Sequence, residues 1–271
     1  MIPISEISQD IVSKIKLVLC DIDDTISTEG KILPEAYNAL WKLKRAGFHV
    51  VPITGRCAGW VDHIARMWPV SGVIGENGAF YAYMDISSDH KKLKKRYYLQ
   101  PDEVKEAQKK FEDIKKEVFS LFPQVKVASD QPYRQFDLAI DFCEDVPPLE
   151  RKDVLKIVNI FENYGAQTKI SSIHVNGWFG DYDKLTMTKI FSKEQLKIDL
   201  EKTPEKALFI GDSPNDQPMF NFFPISVGVQ NINNFKDLIN NFPTYVTKKP
   251  AGLGFAEIVK IIIEKTSLAD P

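Results

Sequence analysis

Lys16-Leu17-Val18-Leu19-Cys20-Asp21-Ile22-Asp23-Asp24-Thr25 is a short apolar run that breaks off abruptly into three carboxylates. A strand buried on both faces of a parallel sheet reads as such a run rather than as an alternation. In an open α/β sheet, the crevice beyond the carboxyl ends of the strands is where ligands bind. Carboxylates crowded there raise one another's pKa unless a cation sits among them. The pentapeptide Asp21 to Thr25 therefore reads either as a site holding a metal or a shared proton, or as a solvated acidic turn that caps a helix.

The residues that follow continue the pattern. Pro34 suits a first helical turn, Ala36, Leu40 and Leu43 keep helical spacing, and Gly47 is placed to end the helix before a second apolar run, Phe48 to Ile53. This is a βαβ unit. Thr54-Gly55-Arg56 then leads into a helix from Ala58 to Met67 and a short run at Gly72-Val73-Ile74. Between about Ala79 and Phe179 the texture changes to paired short strands (Phe80 to Met84, Arg96 to Leu99), a long charged helix from Pro101 to about Leu121, and further strands and a helix. From Lys184 the alternation resumes: a helix to Leu196, a strand Ala207 to Ile210, a helix near Gln217 to Phe222, a strand Ile225 to Val229 and a closing helix from about Gly254 to Glu264. A second acidic turn, Gly211-Asp212-Ser213-Pro214-Asn215-Asp216, follows its strand as the first one does. The expected fold is α/β, a doubly wound, mostly parallel core interrupted by an inserted α+β domain.

Composition bounds the function. The chain has 271 residues with 44% hydrophobic and 27% charged, the balance of an ordinary globular protein. With 35 Lys+Arg against 37 Asp+Glu the net charge is −2, so no general attraction to nucleic acid or to an anionic membrane is expected. The basic run Lys91 to Arg96 is offset by nearby acids and reads as a solvated hairpin. No segment has the ~20 apolar residues of a membrane span or the profile of a signal peptide, and a cytoplasmic location is expected. Cys20, Cys57 and Cys143 are odd in number and widely spaced, which suggests neither a disulfide framework nor a zinc site. No obligate protein partner is evident.

Oxygen ligands gathered from two strand ends suit Mg²⁺, a hard cation that accepts a substrate phosphate. Thr54 at the end of another strand and Lys184 at the head of a helix would add a hydroxyl and an ammonium to a pocket for a phosphoryl group. Taken in order, Asp21-Ile22-Asp23-Asp24-Thr25, Thr54, Lys184 and Gly211-Asp212-Ser213-Pro214-Asn215-Asp216 resemble the four motifs of the haloacid dehalogenase superfamily over nearly the whole chain. The insert between the second and third motifs, with Glu76-Asn77-Gly78-Ala79 ahead of it, resembles the subclass of Cof-type, sucrose-phosphate and trehalose-phosphate phosphatases. The resemblance implies a catalytic core from 1–80 and 181–271 and a specificity cap from 81–180.

It also implies a Mg²⁺-dependent phosphatase acting on a small phosphate monoester, with a sugar phosphate expected. Asp21 would be the nucleophile, forming an aspartyl-phosphate, and Asp23 the acid and base. Asp21, the Asp23 carbonyl and Asp212 would hold the metal, with Asp216 a ligand or its neighbour. Thr54, Gly55, Lys184 and Asn215 would bind the phosphoryl group. In the insert, strand alternation puts Ile173 and Val175 on one face and Ser172, His174, Asn176 and Trp178 on the other, while Phe136, Leu138 and Ile140 mark the apolar face of a neighbouring strand. His174, Asn176, Arg134 and Gln135, with Asn77, are therefore candidates to contact the substrate, or else lie on a solvated face. A phosphomutase of the phosphomannomutase kind and a non-catalytic phosphate-binding module on the same fold are the rival readings.

Overall fold

The computed structural model describes residues 1–87, 90–171 and 173–267. It divides into two compact units, one of residues 1–55, 61–96 and 183–271, the other of residues 56–60 and 97–182.

The first unit is built on a six-stranded sheet in the order Ile2–Pro3, Tyr245–Val246, Ile225–Gly228, Ala207–Gly211, Leu17–Cys20 and His49–Pro52. Every pairing in it is parallel. The apolar run of the opening motif is its fully buried strand Leu17–Cys20, in register with Ala207 to Ile210 on one side and His49 to Pro52 on the other. Helices Pro34–Arg45 and Ala251–Ser267 pack on each other, and the first also packs on strand His49–Pro52. The first has Pro34 at its head, and the left-handed Gly47 (φ 83°), which L side chains rarely adopt, turns the chain back after it.

Two elements differ from the sequence expectation. The closing helix begins at Ala251 rather than near Gly254. Its two early glycines, which normally argue against a helix, are required by contact: a Cβ on Gly252 would lie 2.6 Å from the Ile26 carbonyl, and one on Gly254 would lie 2.3 Å from the Lys249 carbonyl. The second strand of the hairpin after Phe80–Asp85 runs Lys92–Tyr97 rather than from Arg96 to Leu99, so the basic run is itself a strand. Its charges are accommodated singly. Lys95 pairs with Asp62 at 2.5 Å and lies over the Phe80 ring, and Arg96 reaches Glu194 at 3.1 Å. This hairpin forms a three-stranded sheet with Val73–Gly75, so the first unit extends to Arg96 and not only to residue 80.

The second unit has a four-stranded antiparallel sheet in the order Gln167–Ile170, His174–Trp178, Asp137–Asp141, Lys126–Val127, with helices Pro101–Leu121 and Arg151–Asn163. Glu103 accepts from the Gln100 amide at 2.7 Å and closes a capping box at the head of the longer helix. The expected alternation holds within the strands, while Phe136 and Ile173, also expected on the apolar faces, precede them and are not part of this unit's core. Leu138, Ile140 and Val175 join Phe111, Ile114, Val118, Ile157 and Phe161 in the apolar core, whereas Asp137, Asp141, His174 and Asn176 occupy the opposite sheet face. Ser172 lies outside the described residues.

Gly177 faces the helices, and a Cβ there would stand 2.1 Å from the Phe161 ring. Gly177→Ala is expected to cost ~1–3 kcal/mol through overpacking. A fall in Tm checks it, and an unchanged Tm would contradict this packing. Cys20 and Cys57 are buried and Cys143 is half-buried, all three as free thiols. Among the described residues no helix is long and apolar enough to cross a membrane.

Candidate active site

The two acidic turns meet because their strands are neighbours. The Asp21 amide continues the parallel ladder by donating to the Ile210 carbonyl at 2.9 Å, so Asp21 leaves the sheet beside the strand that delivers Asp212. After Asp21 the chain folds into a tight turn in which the Ile22 carbonyl accepts from the amides of Thr25, Ile26 and Ser27 at 3.3, 3.0 and 2.9 Å. Asp24 adopts φ 54° within it, and its amide donates to Ser27 Oγ. Asp21 is buried, Asp23 half-buried and Asp24 exposed.

On the neighbouring strand, a Cβ on Gly211 would come within 2.4 Å of Asp216 Oδ2, so glycine is what lets the Asp212–Asp216 turn close. Asp216 Oδ2 accepts from the Asp212 amide at 3.1 Å. Thr25 Oγ1 donates to Asp212 Oδ1 at 3.3 Å and ties the first turn to the second. Asn215 is half-buried in this turn.

Lys184 is the first residue of helix Lys184–Gln195, whose N-terminus is capped by Asp183 Oδ1 accepting from the Thr186 amide at 2.6 Å. Its buried ammonium donates to Asp21 Oδ1 at 2.5 Å and to Asp216 Oδ1 at 3.1 Å. Burial alone would lower the Lys184 pKa, but the facing carboxylates of Asp21 and Asp216 outweigh it and the net shift is upward. Lys184 is therefore a permanent cation at this site.

The carboxylates are less settled. Burial pushes Asp21 up to about 7, opposed by Lys184 and reinforced by Asp216 and Asp23. Burial, with Asp216 and Asp21 adding repulsion, pushes Asp212 up to about 9. Asp21, Asp212 and Asp216 each offer an oxygen, and these atoms all lie within 4.8 Å of one another. A buried all-oxygen donor set with surplus negative charge fits a hard divalent cation.

The third strand delivers Thr54, which is buried; its amide donates to the Ile74 carbonyl at 2.9 Å, and its carbonyl accepts from the Asn77 amide at 3.1 Å. Glu76, Asn77 and Gly78 are three consecutive left-handed residues (φ 43°, 58° and 106°), all buried. Such backbone persists only where its surroundings over-determine it. Here they do: the Asn77 side chain fills the space a Gly55 Cβ would need, and a Cβ on Gly78 would lie 2.1 Å from the Asp183 carbonyl and 3.0 Å from the Lys184 amide. The turn is thus wedged between the Thr54 loop and the head of the Lys184 helix.

Within the second unit, Arg134 donates through Nε and a terminal nitrogen to both oxygens of Asp130, at 2.8 Å each, and through its other terminal nitrogen to Asp137 at 2.9 and 3.0 Å. Asn176 Nδ2 donates to the same Asp137 at 3.0 Å. Arg134 and Asn176 are therefore brought together on a carboxylate that the sequence did not single out. His174 lies two residues along its strand with Nε2 2.9 Å from Glu144 Oε2.

A family of haloacid dehalogenase-like hydrolases matches residues 18–258. The chain belongs to that family. No curated protein sequence matches it. Among solved structures, Thermoplasma acidophilum 0175 is similar at 19% identity and a TM-score of 0.69, covering 92% of this chain and 98% of that one. A HAD/COF-like hydrolase from Plasmodium vivax is similar at 16% identity and TM-score 0.63, covering 94% and 99%. The sucrose-phosphatase from Synechocystis, solved with sucrose and phosphate, is similar at 17% identity and TM-score 0.61, covering 91% and 97%. At these identities the likeness shows a shared fold.

Proposed function

We propose that this haloacid dehalogenase-like hydrolase is a Mg²⁺-dependent phosphatase that hydrolyses a small phosphate monoester through an aspartyl-phosphate. The observation that carries this reading is the buried Asp21–Lys184–Asp216 constellation with Asp212 beside it, at the carboxyl end of parallel strands. A carboxylate nucleophile next to a fixed ammonium can approach an anionic phosphoryl group that would otherwise repel it.

In the first step an Asp21 oxygen attacks phosphorus and the ester oxygen departs with its electron pair, taking a proton from Asp23. In the second, a water attacks the phosphorus of the aspartyl-phosphate and gives its proton to Asp23, which restores the Asp21 carboxylate and releases phosphate. Thr54, Gly55, Lys184 and Asn215 are assigned to the phosphoryl oxygens. Asp21, the Asp23 carbonyl and Asp212 are assigned to the cation, which supplies charge neutralisation when bound. Asp216, whose oxygens take Lys184 and the Asp212 amide, is assigned to holding the two in place.

The second unit is assigned to substrate selection. His174 and Asn176 would read the hydroxyls of a sugar phosphate, a class supported by the sucrose bound in the Synechocystis enzyme. Arg134 is assigned to fixing Asp137, and through it Asn176. A guanidinium already holding two carboxylates is poorly suited to clamp the second phosphate that a phosphomutase must bind, which favours hydrolysis.

Phosphate release from an aryl phosphate and a panel of sugar monophosphates, with and without Mg²⁺, tests the reading. Full activity after exhaustive chelation would refute it. Asp212→Asn adds a stability readout. Its carboxyl goes from an ordinary 3.8 to about 9 in the fold, so the folded state holds its proton more tightly than the unfolded one. That stability is present below about pH 4 and is lost as the pH climbs toward 9. In chelator the Tm of the wild type is expected to fall over this window, and Asp212→Asn to flatten the fall while abolishing stabilisation by Mg²⁺. An identical pH profile in the variant would remove Asp212 from the cluster.

A further inference from the structure

Asn231 lies near the start of the 3-10 helix Gln230–Leu238 that follows strand Ile225–Gly228, a part of the chain to which the reading above gives no task. Its side chain is nevertheless bonded at both ends. Nδ2 donates to Asp212 Oδ2 at 3.2 Å and to the Asp24 carbonyl at 3.1 Å, while Oδ1 accepts from the Ala251 amide at 2.9 Å. An amide flip would set Oδ1 against two acceptors and leave the Ala251 amide facing a donor, so the orientation has one solution. Both backbone partners lie at constrained positions, Asp24 at φ 54° and Ala251 at φ 47°. One half-buried side chain thus joins the two acidic turns to the head of the closing helix.

The geometry points to Asn231 as the positioning residue that sets the rotation of the Asp212 carboxylate for the cation. This rests on the metal reading above. Asp212 has Thr25 on Oδ1 and Asn231 on Oδ2, so its plane is fixed from both sides before any ligand arrives. A hydrogen-bonded ligand carboxylate spends less free energy on ordering when it binds a metal, and loss of such support typically weakens affinity by ~10–100-fold. The contact to the Asp24 carbonyl extends the same control to the turn that carries Asp23.

The test is a calorimetric titration of MgCl₂ into the metal-free full-length protein, with the Mg²⁺-induced rise in Tm as a second readout and no substrate present. Asn231→Ala is expected to weaken Mg²⁺ binding by roughly 10–100-fold. Because Asn231 also anchors the closing helix, Thr28→Val is the control: Thr28 Oγ1 accepts from the neighbouring Gly252 amide at 3.2 Å and, among the described residues, makes no hydrogen bond to Asp212. It should lower the metal-free Tm while keeping Mg²⁺ affinity within about twofold. If Asn231→Ala fails to fold, Asn231→Ser, too short to reach Asp212, is read on the same titration with the same expectation.

Mg²⁺ affinity in the Asn231 variant within about twofold of wild type overturns the inference, as does equal weakening by Thr28→Val. Absence of Mg²⁺ binding to the wild type overturns the inference together with the metal reading. Binding that Asp212→Ala abolishes but Asn231→Ala leaves intact overturns the inference alone.

Discussion

Replacing Asp21 with Asn is expected to silence phosphate release without unfolding the protein. The amide has nearly the volume of the carboxylate and keeps an oxygen to accept from Lys184 Nζ, but it cannot attack phosphorus. The loss should be roughly four orders of magnitude or more, the scale seen when an enzyme loses its nucleophile. The substitution also removes one of three buried carboxylates that crowd one another, two of them on the Lys184 ammonium, so the Tm in chelator should not collapse. Turnover of an aryl phosphate, circular dichroism and thermal unfolding of the same preparation are the measurements. Comparable turnover in a folded Asp21→Asn protein would take the nucleophile away from Asp21.

Lys184→Met should do damage of two kinds. Removing the ammonium leaves the Asp21 and Asp216 carboxylates facing each other, and breaking a buried pair from one side costs about 3–5 kcal/mol. Part of that cost is avoidable by taking up a proton. Burial holds Asp21 at about 7 even with Lys184 present, and its value rises further without the ammonium. The fall in Tm is therefore expected to be larger at pH 8 than at pH 5. Turnover should drop by roughly 10²–10³-fold for aryl and sugar substrates alike, the usual effect of losing one fixed donor to a developing anion. A drop confined to sugar substrates, or a Tm loss independent of pH, would show that Lys184 does not serve the phosphoryl group beside Asp21.

What could be read from the chain, and what could not, follows from how each feature is encoded. Asp21, Asp212 and Thr54 were legible because each ends a short apolar run, and strand ends in a parallel sheet lie at one edge whatever the intervening sequence. Lys184 followed from its place at the head of a helix and from the family resemblance. Asn231 was not legible. Its role depends on three partners contributed by separate segments, and an Asn after a strand reads in sequence only as a turn former. Asp137 was hidden for a related reason: alternation set its face of the sheet, but its bonds to Arg134 and Asn176 come from tertiary approach. The strand Lys92–Tyr97 was misplaced because four lysines and an arginine within the six residues Lys91 to Arg96 look solvated, whereas the fold finds a separate partner for Lys95 and for Arg96.

The order of the strands has a consequence for how the protein comes into being. Strand Leu17–Cys20 is flanked by His49–Pro52 and by Ala207–Gly211, so one of its edges is satisfied almost at once and the other only when synthesis is well into the last third of the chain. At a synthesis rate of roughly 5–20 residues per second, that edge waits about 10–40 s. The contact between Thr25 and Asp212 spans 187 positions. In the meantime residues 97–182, contiguous and with their own apolar core, are free to fold. The nascent chain thus carries an open, hydrophobic sheet edge, and the interval before Ala207 emerges is when it is most exposed to aggregation and most in need of a chaperone.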